Sequence, residues 1–411
     1  MQNKLKNKII IQKYGGSSVA NVECVENVAR RIIFYIKKGC KVIVVLSAMG
    51  DTTDELVVLA KKINPNPSER EMDMLVSTGE QISCSLLAMA LHKKKVEAIS
   101  LTGSQVGIIT DTYHSQAKIL KIEADRIKKE LTKGKVVIVT GFQGVSTDFE
   151  ITTLGRGGSD LSAVALAVAI KAAMCEIYTD VEGIYTADPR IVLDAKKINY
   201  ITFDEMLELA SRGAKIMHTR AVEVAKKFNI PLHVRSSFSK KEGTLIMEKT
   251  PVIEEAVVRG VALTDNEVKI TLCNVLDKPG IAAHVFNDLA CENINVDMIV
   301  QNVSHKNATD ISFTVPKKDL AKTIKISKKI SKDIGSGEVS FDENIAKVSI
   351  VGVGMRSHSG VAAKCFSVLA KNKINIDMIS TSEISISCVI KKDLGKKALR
   401  ILHKIFGLHK I

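Results

Sequence analysis

Four segments of the 411-residue chain set glycine beside charge in a way that suits an anionic ligand. The first is Lys13-Tyr-Gly-Gly-Ser-Ser-Val19, directly after an apolar run. Gly15 and Gly16 let the backbone approach an anion closely, with Ser17 beside them. A following helix would aim its N–H groups and positive dipole end at the same point, and Lys13 adds a full charge. The lysine precedes the glycines, so this is not a Walker loop, and a tight strand-to-helix turn would look the same. The second segment, 152–160, holds Gly155, Gly157 and Gly158 and leads into an apolar helical stretch, 161–170. Its Arg156 offers a fork for a carboxylate and Asp160 can pair with a lysine, while Ser159 or Asp160 could equally be a helix N-cap. Two such loops point to one shared phosphoryl site.

The third segment runs from Tyr178 to Arg190 at the end of another strand pattern. Asp180 and Gly183 favour a turn, Asp188-Pro189 a second, and Tyr185 and Arg190 can hold a ring and a phosphate. The fourth, Val76-Ser-Thr-Gly-Glu80, opens a helical run, where an acid is also expected simply to complement the dipole. Gly352-Val-Gly354 only half resembles a dinucleotide fingerprint, because Ser357 stands at the third glycine, and it reads as a turn.

These segments need a scaffold. Up to about residue 245, short β-branched runs at 8–13, 41–46, 97–101, 135–140, 174–179 and 231–235 alternate with helical patterns, as in a mainly parallel sheet covered by helices. Ligands on such folds gather at the C-terminal strand ends, where these segments fall. After a basic, polar connection at 236–243 a repeat begins. Gly280, Phe286, Leu289, Ala290, Ile294, Asn295, Asp297, Met298 and Ile299 recur 80 residues later as Gly360, Phe366, Leu369, Ala370, Ile374, Asn375, Asp377, Met378 and Ile379. Two copies are too few for a solenoid, so they read as two small α+β domains devoted to sensing or assembly. The basic amphipathic stretch 391–406 is expected to cover one of their sheets rather than lie on a membrane.

Composition narrows the classes. With 45% hydrophobic and 25% charged residues the chain is globular. The apolar stretch 161–170 is well short of the ~18 residues a membrane span needs, and the N-terminus lacks the apolar region of a secretory signal, so a cytoplasmic, membrane-free protein is expected. Eight scattered cysteines without a CxxC pair argue against a metal ribbon or a disulfide framework. A net charge of +14 invites anions, but with no tryptophan and 4% aromatics the stacking pattern of a nucleic-acid binder is missing.

Taken together, Lys13–Ser18, Ser77-Thr-Gly-Glu80, Gly141-Phe-Gln-Gly144, the segments 152–160 and 178–190, and Gly213-Ala-Lys-Ile216 resemble, in order, the motifs of the aspartate kinases of the amino-acid kinase family. The duplicated tail is similar to that family's paired ACT domains. Thr140 and Thr219 stand where proline is frequent in the family, and Leu161 where threonine is common. The resemblance implies a kinase domain over 1–245 and ferredoxin-like ACT domains over 264–340 and 345–411. It implies transfer of the γ-phosphate of Mg-ATP, bound as a substrate, to the β-carboxylate of L-aspartate, with no tightly bound cofactor and no dedicated metal cage. In the family it resembles, this is the entry step toward lysine, threonine and methionine.

By the same resemblance Lys13 meets the transferring phosphoryl group, Asp160 orients Lys13, and Gly15, Gly16 and Ser17 cradle phosphate. Arg156 takes the α-carboxylate of aspartate and Glu80 its ammonium, with Ser47, Gly157 and Ser159 lining the pocket. Thr179, Asp180, Tyr185, Arg190 and Lys215 hold the nucleotide. A carboxylate is already ionised at pH 7, so the transfer needs charge neutralisation and alignment rather than a general base, in keeping with a candidate site without histidine. A homo-oligomer built through the ACT domains is implied, with lysine, threonine or both bound near Asp277, Ala282, Asn295, Asp297, Gln301, Asn375, Ser382 and Glu383. A sister kinase for an N-acetylated substrate would have no use for Glu80, and a non-catalytic amino-acid sensor would not need Lys13, Arg156 and Asp160 together.

Overall fold

The structure, a computed structural model, describes residues 7–213, 217–251, 256–301, 308–356 and 358–411. They form two compact units, and these are not contiguous in sequence: Met1–Ile184, Lys197–Ala210 and Lys215–Ile253 make the first, while Tyr185–Lys196, Ser211–Ala214 and Glu254–Ile411 make the second.

The first unit is built on an eight-stranded sheet. From edge to edge its strands are Tyr200–Thr202, Thr244–Met247, Leu232–Ser236, Met174–Thr179, Ile9–Tyr14, Lys41–Leu46, Val136–Thr140 and Ala98–Leu101. Neighbours run parallel except for the pair Leu232–Ser236 and Thr244–Met247. All six strand runs expected from the sequence lie in it. Val42 to Leu46 and Val136 to Thr140 are buried without interruption, the mark of strands covered on both faces. Alternation divides those faces. Ile10, Tyr14, Val42, Val44 and Leu46 pack against Val28, Ile32, Leu87 and Leu91 of the helices Val22–Lys37 and Thr78–Lys93. Lys13, one residue out of phase, faces the helix Gly158–Ile170 instead. That helix is buried on nearly every side, so its apolar run reads as core. The run Glu69–Lys93 is long and apolar enough by length and composition to cross a membrane, unlike the shorter stretch singled out in the sequence, yet half of its most apolar window is buried in the fold.

A second, four-stranded sheet (Ile119–Ile122, Ile108–Thr110, Gln143–Ser146, Ile151–Thr153) leaves no mark in the sequence, because its three- and four-residue strands are too short to show a period.

The second unit contains two four-stranded sheets. In the first copy the order is Ile299–Gln301, Ala308–Pro316, Glu267–Leu276, Val339–Asp342. In the second it is Met378–Thr381, Ser385–Lys391, Ile345–Val351, Gly260–Thr264, which is the same order with the fourth strand drawn from ahead of the first copy. Gly260–Thr264 pairs antiparallel with Ile345–Val351, so the sheet of the second copy takes a strand from outside 345–411 and the first copy is inserted into the second. Gly280 and Gly360 cap the equivalent helices Ile281–Cys291 and Val361–Lys371 with φ of 93° and 88°, a conformation that only glycine adopts without strain. Ala398, Leu399 and Leu402 of the C-terminal helix Gly395–Ile405 are buried against the second sheet, as the amphipathic pattern required.

Candidate active site

Lys13 leaves its strand toward the N-terminus of the helix Gly158–Ile170, and its Nζ stands 2.7 Å from Oδ1 of Asp160, with both side chains largely buried. Ser47 follows the next strand, and its Oγ donates to Oγ of Ser159 at 3.1 Å. Gly141 follows the strand after that, and a β-carbon there would come within 2.7 Å of Ser159 Cβ. Lys13, Ser47, Ser159 and Asp160 therefore meet at the C-terminal edge of the parallel sheet.

The loop after Lys13 is tighter than its sequence suggested. Gly16–Val19 form a single 3₁₀ turn, and the long helix starts only at Val22, capped by Asn21. No long dipole points into this loop, and the anion-binding capacity lies in the turn's N–H groups and Lys13. Gly16 is required by close packing, since a β-carbon would sit 2.9 Å from the carbonyl oxygens of Ala48 and Gly50. Ser17 is exposed beside it.

In the second loop neither Ser159 nor Asp160 is the N-cap. Gly157 is, with φ of 71°, and Asp160 lies in the first turn as a 7% exposed carboxylate. A β-carbon at Gly157 would overlap the His218 side chain at 2.4 Å. The expectation of a site without histidine thus fails: His218 lies against the loop, and burial lowers its pKa and favours the neutral ring. Two further residues unmarked in the sequence fix this loop. Asp73, 1% exposed, accepts from Thr153 N and Ser115 N at 3.0 Å, from Thr153 Oγ1 at 2.6 Å and bonds His114 Nδ1 at 2.9 Å. Arg220 donates to the carbonyls of Leu154 and Ala117, both at 3.0 Å. Asp73 is 80 residues from Thr153, so no local spacing could reveal the pair.

Glu80 is 3% exposed. Its Oε1 accepts from Ala48 N–H at 3.3 Å, while Oε2 has no hydrogen-bond partner among the described residues. Burial pushes its pKa up to about 7. An acid placed only to complement a helix dipole has no reason to be buried with half its acceptor capacity unused. Arg156, two residues before the helix, is exposed and forms no ion pair among the described residues, so its guanidinium is available to a ligand.

Behind Lys13, the opposite face of the same strand is anchored by a buried carboxylate. Glu176 accepts from Gln12 Nε2 at 2.8 Å, Tyr35 Oη at 2.6 Å and Tyr178 Oη at 3.0 Å, and Tyr14 stacks on Tyr178 at 4.6 Å. Burial, then the Glu176 charge, raise the pKa of Tyr35 and Tyr178, which remain neutral donors. This network sets the height of the Lys13 strand.

Of the residues expected to hold a nucleotide, Thr179 and Asp180 end the strand Met174–Thr179 in the first unit, with Thr179 Oγ1 donating to Asp180 at 3.0 Å. Tyr185 and Arg190 belong to the second unit, and the exposed Arg190 guanidinium grips Asp188 at 2.8 and 3.0 Å. Lys215 lies outside the described residues.

Residues 8–236 match the model of the amino acid kinase family, and 273–329 together with 348–406 match that of the ACT domain. The aspartokinase of Pseudomonas aeruginosa is 50% identical over 402 residues, covering 97% of this chain and 98% of its own. The chain belongs to the aspartate kinases of the amino acid kinase family. A crystal structure of E. coli aspartokinase III in complex with aspartate and ADP, its R-state, is similar with a TM-score of 0.83 at 28% identity, covering 97% of this chain and 99% of that one. The T-state of the same enzyme, with lysine and aspartate, gives 0.76 at 28% identity over the same shares.

Within this aspartate kinase the ACT residues singled out as effector contacts are all exposed in the second unit. Asp277, Ala282, Asn295, Gln301 and Asn375 lie open. Ser382 pairs with Ser385, and Glu383 with Arg356 at 2.8 Å. Asp297 differs, because its carboxylate already holds Arg212 at 3.2 Å and the fully buried Lys347, which also bonds Glu267 at 2.6 Å. An amino-acid ammonium reaching Asp297 must compete with two resident cations.

Proposed function

We propose that the chain transfers the γ-phosphoryl group of Mg-ATP to the β-carboxylate of L-aspartate, giving 4-phospho-L-aspartate and ADP. The observation that carries this reading is the buried Glu80 carboxylate with one free oxygen, held within the same strand-end cluster as the Lys13–Asp160 pair. A carboxylate set to receive an ammonium suits a free amino acid, and a buried lysine fixed by an aspartate suits a phosphoryl group. The aspartate and ADP bound to E. coli aspartokinase III support both halves.

The attacking β-carboxylate oxygen forms a bond to the γ-phosphorus as the bond to the β,γ-bridging oxygen breaks, and ADP leaves with that electron pair. No proton moves. Lys13 neutralises charge on the transferring group and Asp160, 2.7 Å away, keeps its ammonium aimed. Gly16 and Ser17 offer backbone and hydroxyl donors to phosphate, and Gly15, whose N–H is given to the Tyr178 carbonyl at 3.2 Å, lets the phosphate approach the turn without a side chain in the way, while Ser47, Gly157 and Ser159 shape the pocket floor. Arg156 takes the α-carboxylate and Glu80 the ammonium. Thr179, Asp180, Tyr185, Arg190 and Lys215 hold the nucleotide. Magnesium arrives on the ATP phosphates as part of the substrate. The reaction opens the route to lysine, threonine and methionine, and lysine, alone or with threonine, binds the ACT domains of a homo-oligomer as the feedback signal. The lysine-bound T-state of the E. coli enzyme supports that assignment.

The test is trapping of the acyl phosphate with hydroxylamine. Hydroxamate should form from L-aspartate and Mg-ATP and decline when lysine and threonine are added. Activity with N-acetylglutamate and none with aspartate would overturn the reading.

A further inference from the structure

The motif that begins at Tyr178 crosses between units along the chain: Ile184 closes a stretch of the first, and Tyr185–Lys196 belongs to the second. The contacts holding Tyr185–Lys196 there are specific. Ala187 and Val192 are buried in one core with Leu399 and Leu402 of the C-terminal helix. Thr186 is fully buried and bonded through every polar atom. Its N–H donates to Lys196 O at 2.9 Å, its carbonyl accepts from Val261 N–H at 2.8 Å, and its hydroxyl accepts from Lys196 N–H at 2.9 Å. Among the described residues the hydroxyl has one other hydrogen-bond partner, Nε2 of His403 on the C-terminal helix, at 2.9 Å.

With the Thr186 hydroxyl oxygen already accepting from Lys196, a neutral ring with Nε2 as acceptor and its own proton on Nδ1, the nitrogen nearer Asp194 at 3.8 Å, is the arrangement that gives the hydroxyl proton a partner. Burial at 1% exposure favours the same neutral form. Three residues before His403, Arg400 Nε donates to the carbonyl of Ile191 at 2.9 Å. One helix thus grips the segment at both ends of the Thr186–Ile191 stretch, and Tyr185 and Arg190 are each one residue from a gripped position.

We propose that His403 is a positioning residue for nucleotide binding: by taking the Thr186 hydroxyl proton it fixes the segment that presents Tyr185 and Arg190, with Arg400 holding the far end. This rests on the reading of Tyr185 and Arg190 as nucleotide groups. A histidine present only to fill the core could be exchanged for any side chain of similar volume without a substrate-specific effect.

The experiment is steady-state kinetics of the full chain, with thermal unfolding alongside, for His403→Leu, His403→Gln and Thr186→Val. Losing this buried hydrogen bond should raise the KM for Mg-ATP about five- to tenfold in His403→Leu, with the KM for aspartate within about twofold of the parent. His403→Gln, whose amide oxygen can accept the same proton, should recover most of the loss. Thr186→Val removes the proton from the other side at nearly constant volume; because it also takes the acceptor of the Lys196 N–H, it should raise the ATP KM at least as much as His403→Leu, and it serves in its place if that variant does not fold. Equal ATP KM for the Leu and Gln variants, or parallel changes for both substrates, would overturn the proposal. Tyr185→Ala and Arg190→Ala separate it from the reading beneath it. If they raise the ATP KM while His403→Leu and Thr186→Val do not, the positioning role alone falls. If they leave the ATP KM unchanged, the nucleotide reading falls and the proposal with it.

Discussion

Lowering the pH from 8 to 6 should raise the KM for aspartate about tenfold through a single group, Glu80. An ammonium is held by the ionised carboxyl and repelled from nothing when the group is neutral, so binding follows the ionised fraction. With burial lifting the pKa from 4.5 to about 7, the charge is present in most of the free protein at pH 8 and in only a minor part at pH 6. Apparent affinity scales with that fraction, and the ammonium and carboxylates of a free amino acid titrate outside the window. The same displacement acts on the empty protein with the opposite consequence. The folded state holds this proton more tightly than the unfolded chain, so stability is unaffected below about pH 4.5, falls as pH rises toward 7 and then levels. Relative to the parent, Glu80→Gln should therefore gain about 2 kcal/mol of stability at pH 6 and about 3 kcal/mol at pH 8, while losing about 2–4 kcal/mol of aspartate binding. The assay is hydroxamate formation against aspartate concentration from pH 6 to 8 for both proteins, with ligand-free melting curves. A parent KM that stays flat across this range refutes the argument. So does a Glu80→Gln variant that keeps the parent's pH dependence, which would take the titration away from Glu80.

Three other outcomes test the geometry. Lys13→Ala should lower kcat by several orders of magnitude, since Lys13 acts on charge that develops in transfer, and a change confined to the KM for ATP would move it to ground-state binding. Gly157→Ala adds a left-handed alanine and an overlap with His218, and should lower stability by about 2–4 kcal/mol, as chemical denaturation can measure; adding His218→Gly should return only the steric part. Asp73→Asn loses acceptors that hold Thr153 and Ser115, so it should cost about 2–3 kcal/mol and raise the KM for aspartate more than that for ATP; an effect on stability alone would show that the second loop does not depend on this anchor.

The strands and the glycine loops were legible because both are local. A buried parallel strand such as 41–46 is written as consecutive β-branched residues, and a loop such as Gly155-Arg-Gly-Gly158 announces its own backbone requirement. What orders those loops was not legible, because it is long-range. Asp73 reaches Thr153, Arg220 reaches Leu154, and His218 packs on Gly157, each a pairing that only the folded sheet creates. The N-cap follows the same rule: Ser159 or Asp160 is the local alternative to an anion site, since side-chain caps are favoured in isolation, but the close approach of His218 and the left-handed turn select Gly157. Glu80 shows the same limit in a different form, since its helical position is unremarkable and only its burial distinguishes it from a dipole-complementing acid.

The 80-residue repeat revealed two copies but not how they are joined, because repetition marks equivalent residues and is silent on which strand completes which sheet. In the first copy the edge beside Glu267–Leu276 is closed by Val339–Asp342, which follows its second helix. In the second copy no strand follows the helix Gly395–Ile405 among the described residues, and the matching edge of Ile345–Val351 is closed by Gly260–Thr264. An uncovered edge would leave a row of backbone donors and acceptors unpaired, so this strand is as necessary to the second sheet as any of its own. A division between 340 and 345 would therefore separate the sequence copies without separating the folded ones. The same borrowed strand pairs on one side with Ile345–Val351 and on the other gives the N–H of Val261 to Thr186. The segment carrying Tyr185 and Arg190 is thereby tied, through one five-residue strand and one helix, to the sheet of the second ACT copy.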